Sequence, residues 1–232
     1  MKVNRVSCLE QNGFCIVPFF HEEVVDKLRD LLTFDDNAPT PNRRLFGEMW
    51  SRVANVALHG GMRLFLSSFT PVAGKGPHVR CVRAILFDKT PDANWKVPWH
   101  QDLTIAVEKR VDLPGYTAWT EKEGIPHVQP PVAVLENMLT ARIHLDPCGS
   151  DNGALKVLPC THLDGRLTSD AIGARRTAIE EYTCACKVGD VLFMRPLLLH
   201  ASSPAATPSR RRVLHLEFAG CDLHNPLRWQ EF

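Results

Sequence analysis

The chain lacks an excess of either charge. Its 232 residues hold 27 Lys and Arg against 26 Asp and Glu, a formal net charge of +1. Binding to nucleic acid or to an anionic membrane calls for a basic excess, so neither partner is expected. No apolar run reaches the ~18 residues that a bilayer-spanning helix needs. The longest, 191–199, is interrupted by Arg195 and Pro196. The first residues show no long apolar stretch before a small-residue cleavage site, and the last five match no peroxisomal or lipid-anchor ending. A cytoplasmic protein is the expectation. There is no internal repeat and no low-complexity linker. Cys184-x-Cys186 has no second Cys or His pair at zinc-finger spacing.

What is present is an ordinary globular composition, 44% apolar and 23% charged. The length suffices for one well-buried core, so we read residues 1–232 as a single domain. Eight cysteines invite a disulfide framework, but a chain of this size needs no staples, and reduced thiols are expected. Turn chemistry concentrates at 70–76, 90–94, 147–153 and 202–209.

Residues 14–19 read as a strand and 21–32 as an amphipathic helix. Residues 45–66 predict one or two helices broken at Gly60-Gly61. From about residue 79 the texture becomes short β-like segments: 79–87, 100–107, 138–145, 154–158, 191–195 and 213–218. Helices first and short strands after predict a mainly β fold, an antiparallel sandwich with flanking helices: helical support over about 1–70 and a β core over about 79–220.

Trp99-His100-Gln101-Asp102 carries the first chemical signal. On a strand, residues i and i+2 share a face, so His100 and Asp102 can aim an imidazole and a carboxylate at one point. His200 closes the run that starts at Gly189-Asp190. Two His and one carboxylate from separate strands form the facial triad that holds non-haem Fe(II) and leaves coordination positions open. Arg210-Arg211-Arg212 follows. A guanidinium grips a carboxylate through two parallel hydrogen bonds. Alternation places Arg212, Leu214, Leu216 and Phe218 on a face buried under helices, and Arg211, Val213, His215 and Glu217 on a face suited to a polar cavity, which selects Arg211. The same parity puts Arg142 and His144 together, either lining that cavity or pairing within the sheet. His127 and Gln129 lie in a long Pro-rich insert after the H-x-D, readable as a lid or as a plain loop, and are candidates for substrate contact with His144.

His100-x-Asp102, then Asn152-Gly153-Ala154-Leu155 through Thr161-His162, then Gly189-Asp190, His200 and an Arg eleven residues on, resembles the phytanoyl-CoA dioxygenase-like family. The resemblance runs from about residue 79 to the C-terminus. It implies a double-stranded β-helix (jelly-roll, cupin-like) core. It also implies an Fe(II)-dependent dioxygenase that uses 2-oxoglutarate and O2, hydroxylates a small organic molecule and releases succinate and CO2. By resemblance, His100, Asp102 and His200 bind iron, and Arg211 holds the far carboxylate of 2-oxoglutarate. Ile85 falls at a position that touches the cosubstrate, and Arg142 where some relatives place a cosubstrate-contacting Trp. Cys160 stands where a Gly is common. Asp102 stands where halide-inserting relatives have a small residue, which disfavours a halogenase. On the residues alone two other classes stay open: a non-catalytic metal-binding, cupin-like ligand carrier, and a cupin enzyme that uses the triad without 2-oxoglutarate.

Overall fold

The computed structural model describes residues 5–34, 42–68, 79–92 and 94–231; the turn cluster at 70–76 lies outside them. The N-terminal part interleaves helices with two strands: α1 (Arg5–Asn12), β1 (Phe14–Pro18), α2 (Glu22–Leu31), β2 (Asn42–Arg44), α3 (Gly47–Ala57) and α4 (Gly61–Ser68). Then come β3 (Arg80–Lys89), β4 (Val97–His100), β5 (Ile105–Ala106), β6 (Thr117–Lys122), β7 (Ile125–Gln129), α5 (Val132–Glu136), β8 (Met138–His144) and β9 (Leu155–Val157). The chain closes with α6 (Ser169–Ala178), β10 (Tyr182–Cys184), β11 (Asp190–Met194), β12 (His200–Ser202) and β13 (Arg211–Ala219).

The strands form three antiparallel sheets. A major sheet runs β1-β11-β8-β13-β3-β2, a minor one β10-β9-β12-β4, and a small one β5-β7-β6. This is the mainly β, jelly-roll architecture with flanking helices expected from the sequence. The division into leading helices and later strands is less clean than expected, because β1 and β2 sit among the helices yet pair into the major sheet.

Alternation on the long strands sorts the layers. Ala84 and Leu86 of β3, Ala141 and Ile143 of β8, and Leu214 and Leu216 of β13 pack with Leu28, Val53 and Met62 of the helices. Burying the Leu, Ile, Val and Met side chains among them is worth roughly 1.5–3 kcal/mol each, which holds the helical layer on the sheet. In α2, Val25 and Leu28 face inward, acidic residues occupy the first turn and Arg29 the last, matching the helix dipole. Arg29 Nε also donates to the Leu145 carbonyl at 2.9 Å, tying the helix to the end of β8. A second apolar cluster (Phe14, Leu192, Met194, Leu155, Val157, Leu198) fills one side of the space between the two large sheets.

Three local expectations are corrected. The segment 100–107 is not one strand: β4 ends at His100, residues 101–104 are irregular, and pairing resumes at Ile105 and Ala106, with a single bridge from Val107 to Trp229. Asp102 N–H donates to Pro196 O at 2.9 Å rather than to a sheet neighbour. The run before His200 is likewise split: β11 stops at Met194, a turn follows, and His200 opens β12 in the opposite sheet. The insert is no plain loop, since β6 and β7 form a hairpin around Glu123-Gly124, both at positive φ (54° and 75°). Cys160, in the glycine-like position, adopts φ 67° just before a 3₁₀ turn at Thr161–Asp164.

Candidate active site

His100 ends β4 and His200 begins β12, directly across from each other in the minor sheet, with ring centroids 4.2 Å apart. Asp102 sits on the irregular segment after β4. Its two oxygens lie 3.7 Å from His100 Nε2 and 3.7 Å from His200 Nε2. The three ligand atoms fall within 4.8 Å of one another, and no other such cluster occurs among the described residues.

The tautomers follow from the backbone. His100 Nδ1 lies 2.8 Å from Pro98 O, and His200 Nδ1 lies 2.9 Å from Leu198 O. A carbonyl only accepts, so each Nδ1 carries a proton, and in the neutral ring Nε2 is the nitrogen that presents a lone pair. Burial pushes His200 down to about 4 against the pull of Asp102, which keeps it neutral. Burial alone would raise the Asp102 carboxyl, but the groups around it, first His200, then His215, His100 and Arg83, hold it below its ordinary value. Two Nε2 atoms and a carboxylate converge. That donor set suits a divalent transition metal with a face left open.

The segments carrying these ligands are anchored by Gln101, between two of them. Its Oε1 accepts from Leu167 N at 2.8 Å, and its Nε2 donates to Gly165 O at 2.8 Å and Leu197 O at 2.7 Å. Thr161 does the same for His200: its hydroxyl donates to Leu158 O at 2.8 Å and accepts from Leu199 N at 3.0 Å.

The ligands open onto a cavity of about 290 Å³ between the two large sheets. Its major-sheet wall carries Arg83, Ile85, Phe87 and Lys89 of β3, Arg142 of β8, and Arg211, Val213, His215 and Glu217 of β13. Of the three consecutive arginines, Arg210 pairs with Asp88 (2.7 Å) and Arg212 with Asp146 (2.9 Å). Arg211 is buried, has no carboxylate partner among the described residues, and donates to Gly153 O at 2.7 Å and to Cys148 Sγ at 3.2 Å. The Asn152-Gly153 motif thus has a local purpose. Asn152 holds Ser209, just before the arginines, through Nδ2 to Oγ at 2.7 Å, and Gly153 (φ 66°) brings its carbonyl against the guanidinium; a Cβ there would meet Ser203 O at 2.9 Å. Lys89, the cross-strand partner of Arg211, donates to Trp95 O at 2.8 Å. Burial, then Arg211 and Arg142, push its amine down to about 8. Arg142 is lowered by burial and then by Arg211. A buried cationic end with no counter-ion is unfavourable until an anion arrives.

Of the residues singled out in the sequence, the structure brings His100, Asp102, His200, Ile85, Arg142 and Arg211 to one cavity. His144, His127 and Gln129 are not on its lining. His144 is 2% exposed, with neither ring nitrogen partnered among the described residues, and burial pushes it down to about 3. His127 is fully buried, its Nδ1 against Ile125 O and its Nε2 accepting from Arg44 at 3.1 Å. Gln129 lies on β7 opposite Thr117. Gln101, Lys89 and Arg83 were missed. Parity could have found the last two, since residues 83, 85, 87 and 89 share one face of a strand.

The profile of the family described as phytanoyl-CoA dioxygenase (PhyH) matches residues 9–213. The chain belongs to this family. The human protein named "Phytanoyl-CoA dioxygenase, peroxisomal" is 27% identical over 165 residues, 64% of this chain. This chain spans 42% of that relative's length. Among solved structures, AviO1 of Streptomyces viridochromogenes Tue57 matches with a TM-score of 0.62 at 20% identity, over 94% of this chain and 96% of that one. HygX of Streptomyces hygroscopicus, solved with nickel and 2-oxoglutarate bound, matches with a TM-score of 0.61 at 15% identity, over 94% and 87%. At these identities the two structures share the fold of the PhyH family member described here. No helix among the described residues is long and apolar enough to cross a membrane.

Proposed function

We propose that the chain is a single-domain Fe(II)- and 2-oxoglutarate-dependent dioxygenase that hydroxylates a small organic molecule and releases succinate and CO2. One observation carries the reading: two imidazole lone pairs and a carboxylate converge in the same cavity as Arg211, a buried guanidinium with no carboxylate of its own. His100, Asp102 and His200 hold the metal through Nε2, a carboxylate oxygen and Nε2. Bound there, ferrous iron supplies the one-electron and dioxygen chemistry that side chains cannot. The remaining work belongs to the chain. Arg211, backed by the charge of Lys89, binds the distal carboxylate of 2-oxoglutarate and fixes its orientation, while Arg142 and Ile85 flank it. A metal-binding protein without a keto acid would leave Arg211 with no counter-ion, which disfavours a carrier or a cupin enzyme that does not use 2-oxoglutarate.

The substrate is a small molecule, since about 290 Å³ lies at the low end of the range for ligand sites. All eight cysteines are free thiols, which fits a reducing compartment such as the cytoplasm. Succinate formation from 2-oxoglutarate tests the assignment. His100→Ala and Asp102→Ala abolish it, and Arg211→Gln raises the KM for 2-oxoglutarate by about 10- to 100-fold, the worth of a charged hydrogen bond, with metal binding retained. Unchanged cosubstrate dependence in Arg211→Gln rejects the clamp.

A further inference from the structure

The cavity has a second basic end that the cosubstrate does not use. On the inner face of the major sheet, register places Lys89 beside Arg211, Arg44 beside Ile85 with His215 and Arg142 in the same row, and Arg83 beside Glu217. Lys89 and Arg83 lie on the same strand face, roughly 20 Å apart at ~3.4 Å per residue. Asp102 lies within electrostatic reach of Arg83, so the metal ligands stand close to this second end as well.

Arg83 donates to Glu217 at 3.0 Å, yet its Nε is buried without a partner among the described residues. Glu217 is shared, because His215 Nε2 also lies 3.1 Å from the same oxygen. Arg44 is gripped by the β6–β7 hairpin, its Nε 3.1 Å from Glu123 and its NH2 group against His127. His127 brings no charge there, since its proton is on the Nδ1 that faces Ile125 O, and Glu123 is largely exposed and screened by solvent. The Lys122 side chain, exposed at the end of β6, makes no ion pair or hydrogen bond among the described residues. Arg83, Arg44 and Lys122 thus stand near Glu217, Glu123 and the proposed metal ligand Asp102, with Arg83 and Glu217 on the cavity wall. A network that only fastened the hairpin would use its buried donors on the protein; this one leaves an arginine nitrogen buried without a partner.

We propose that the substrate carries an oxyanion, a carboxylate or a phosphate, and that Arg83 binds it, with Arg44 and Lys122 adding positive charge, so that the rest of the substrate extends toward the metal ligands. The inference rests on the oxygenase reading for the metal end of the cavity. The test uses protein loaded anaerobically with Fe(II) and 2-oxoglutarate, and calorimetric titration with hexanoate, hexyl phosphate and hexanol. At least one anion binds tenfold or more tightly than hexanol, and which one does so separates carboxylate from phosphate. Arg83→Gln removes that preference while 2-oxoglutarate affinity stays unchanged, and Arg44→Gln weakens it in the same direction. Hexanol binding as tightly as both anions, anions that displace 2-oxoglutarate, or a preference that survives Arg83→Gln overturns the proposal. If Arg83→Gln does not fold, Arg44→Gln and the wild-type comparison with hexanol still decide. Failure of 2-oxoglutarate itself to bind counts against the oxygenase reading, and titration of the metal-loaded protein alone then still reads the Arg83 site.

Discussion

Gln101 commits both ends of its amide to the backbone of other segments: one acceptor to Leu167 N, two donors to Gly165 O and Leu197 O. It stands between two of the proposed metal ligands without being one. Gln101→Leu preserves bulk but leaves these buried backbone groups unpaired, at about 1–3 kcal/mol each. We expect a lower melting temperature together with at least tenfold weaker Fe(II) binding by titration. A variant with lowered stability but wild-type metal affinity would show that the amide merely holds loops together. The role of Gln101 was not legible in H-x-D, because its partners lie 64 to 96 residues away. The choice among the three arginines was legible, since strand parity alone separates Arg211 from Arg210 and Arg212, and the ion pairs then occupy the other two.

At the scale of elements, the β6–β7 hairpin is the part the sequence concealed. Its turn has two residues at positive φ, as a tight I′ connection requires, but Glu123-Gly124 is a weaker signal than Asn-Gly, β6 is mostly exposed and β7 does not alternate. Long periodic segments such as α2 and β13 were readable because one face of each is buried along its whole length. The break after His100 was not, because a polar segment held by distant partners leaves no period. Gly124→Val forces a β-branched residue to φ near 75°, at about 1–3 kcal/mol. Faster hydrogen exchange confined to β6, β7 and β2 is the expected result. Unaltered exchange would show that the turn does not hold the hairpin on β2.

Over the whole molecule, stability depends on buried neutral histidines. Burial lowers His127 to about 4 and His144 to about 3, whereas in the unfolded chain both protonate near 6.5. Between these values the unfolded state holds more protons, so stability falls as pH falls from about 6.5 toward 4, by up to about 1.4 kcal/mol per pH unit for each group. Urea midpoints across that range check this, and His144→Leu flattens the slope. A flat wild-type profile would mean that these rings are solvated in the folded state. Fold class and the cluster of His100, Asp102 and His200 were legible together because both rest on strand order and short motifs. The cavity's two basic ends were not, since they arise from register between β3, β13 and β2.

The most direct measurement is an anaerobic titration of the purified chain with Fe(II), then with 2-oxoglutarate, followed in the visible range. One iron per chain and a charge-transfer band that saturates with 2-oxoglutarate, both lost in His100→Ala, is the expected result. No stoichiometric iron binding, or iron that binds equally well without His100 and Asp102, would contradict the assignment of these three side chains.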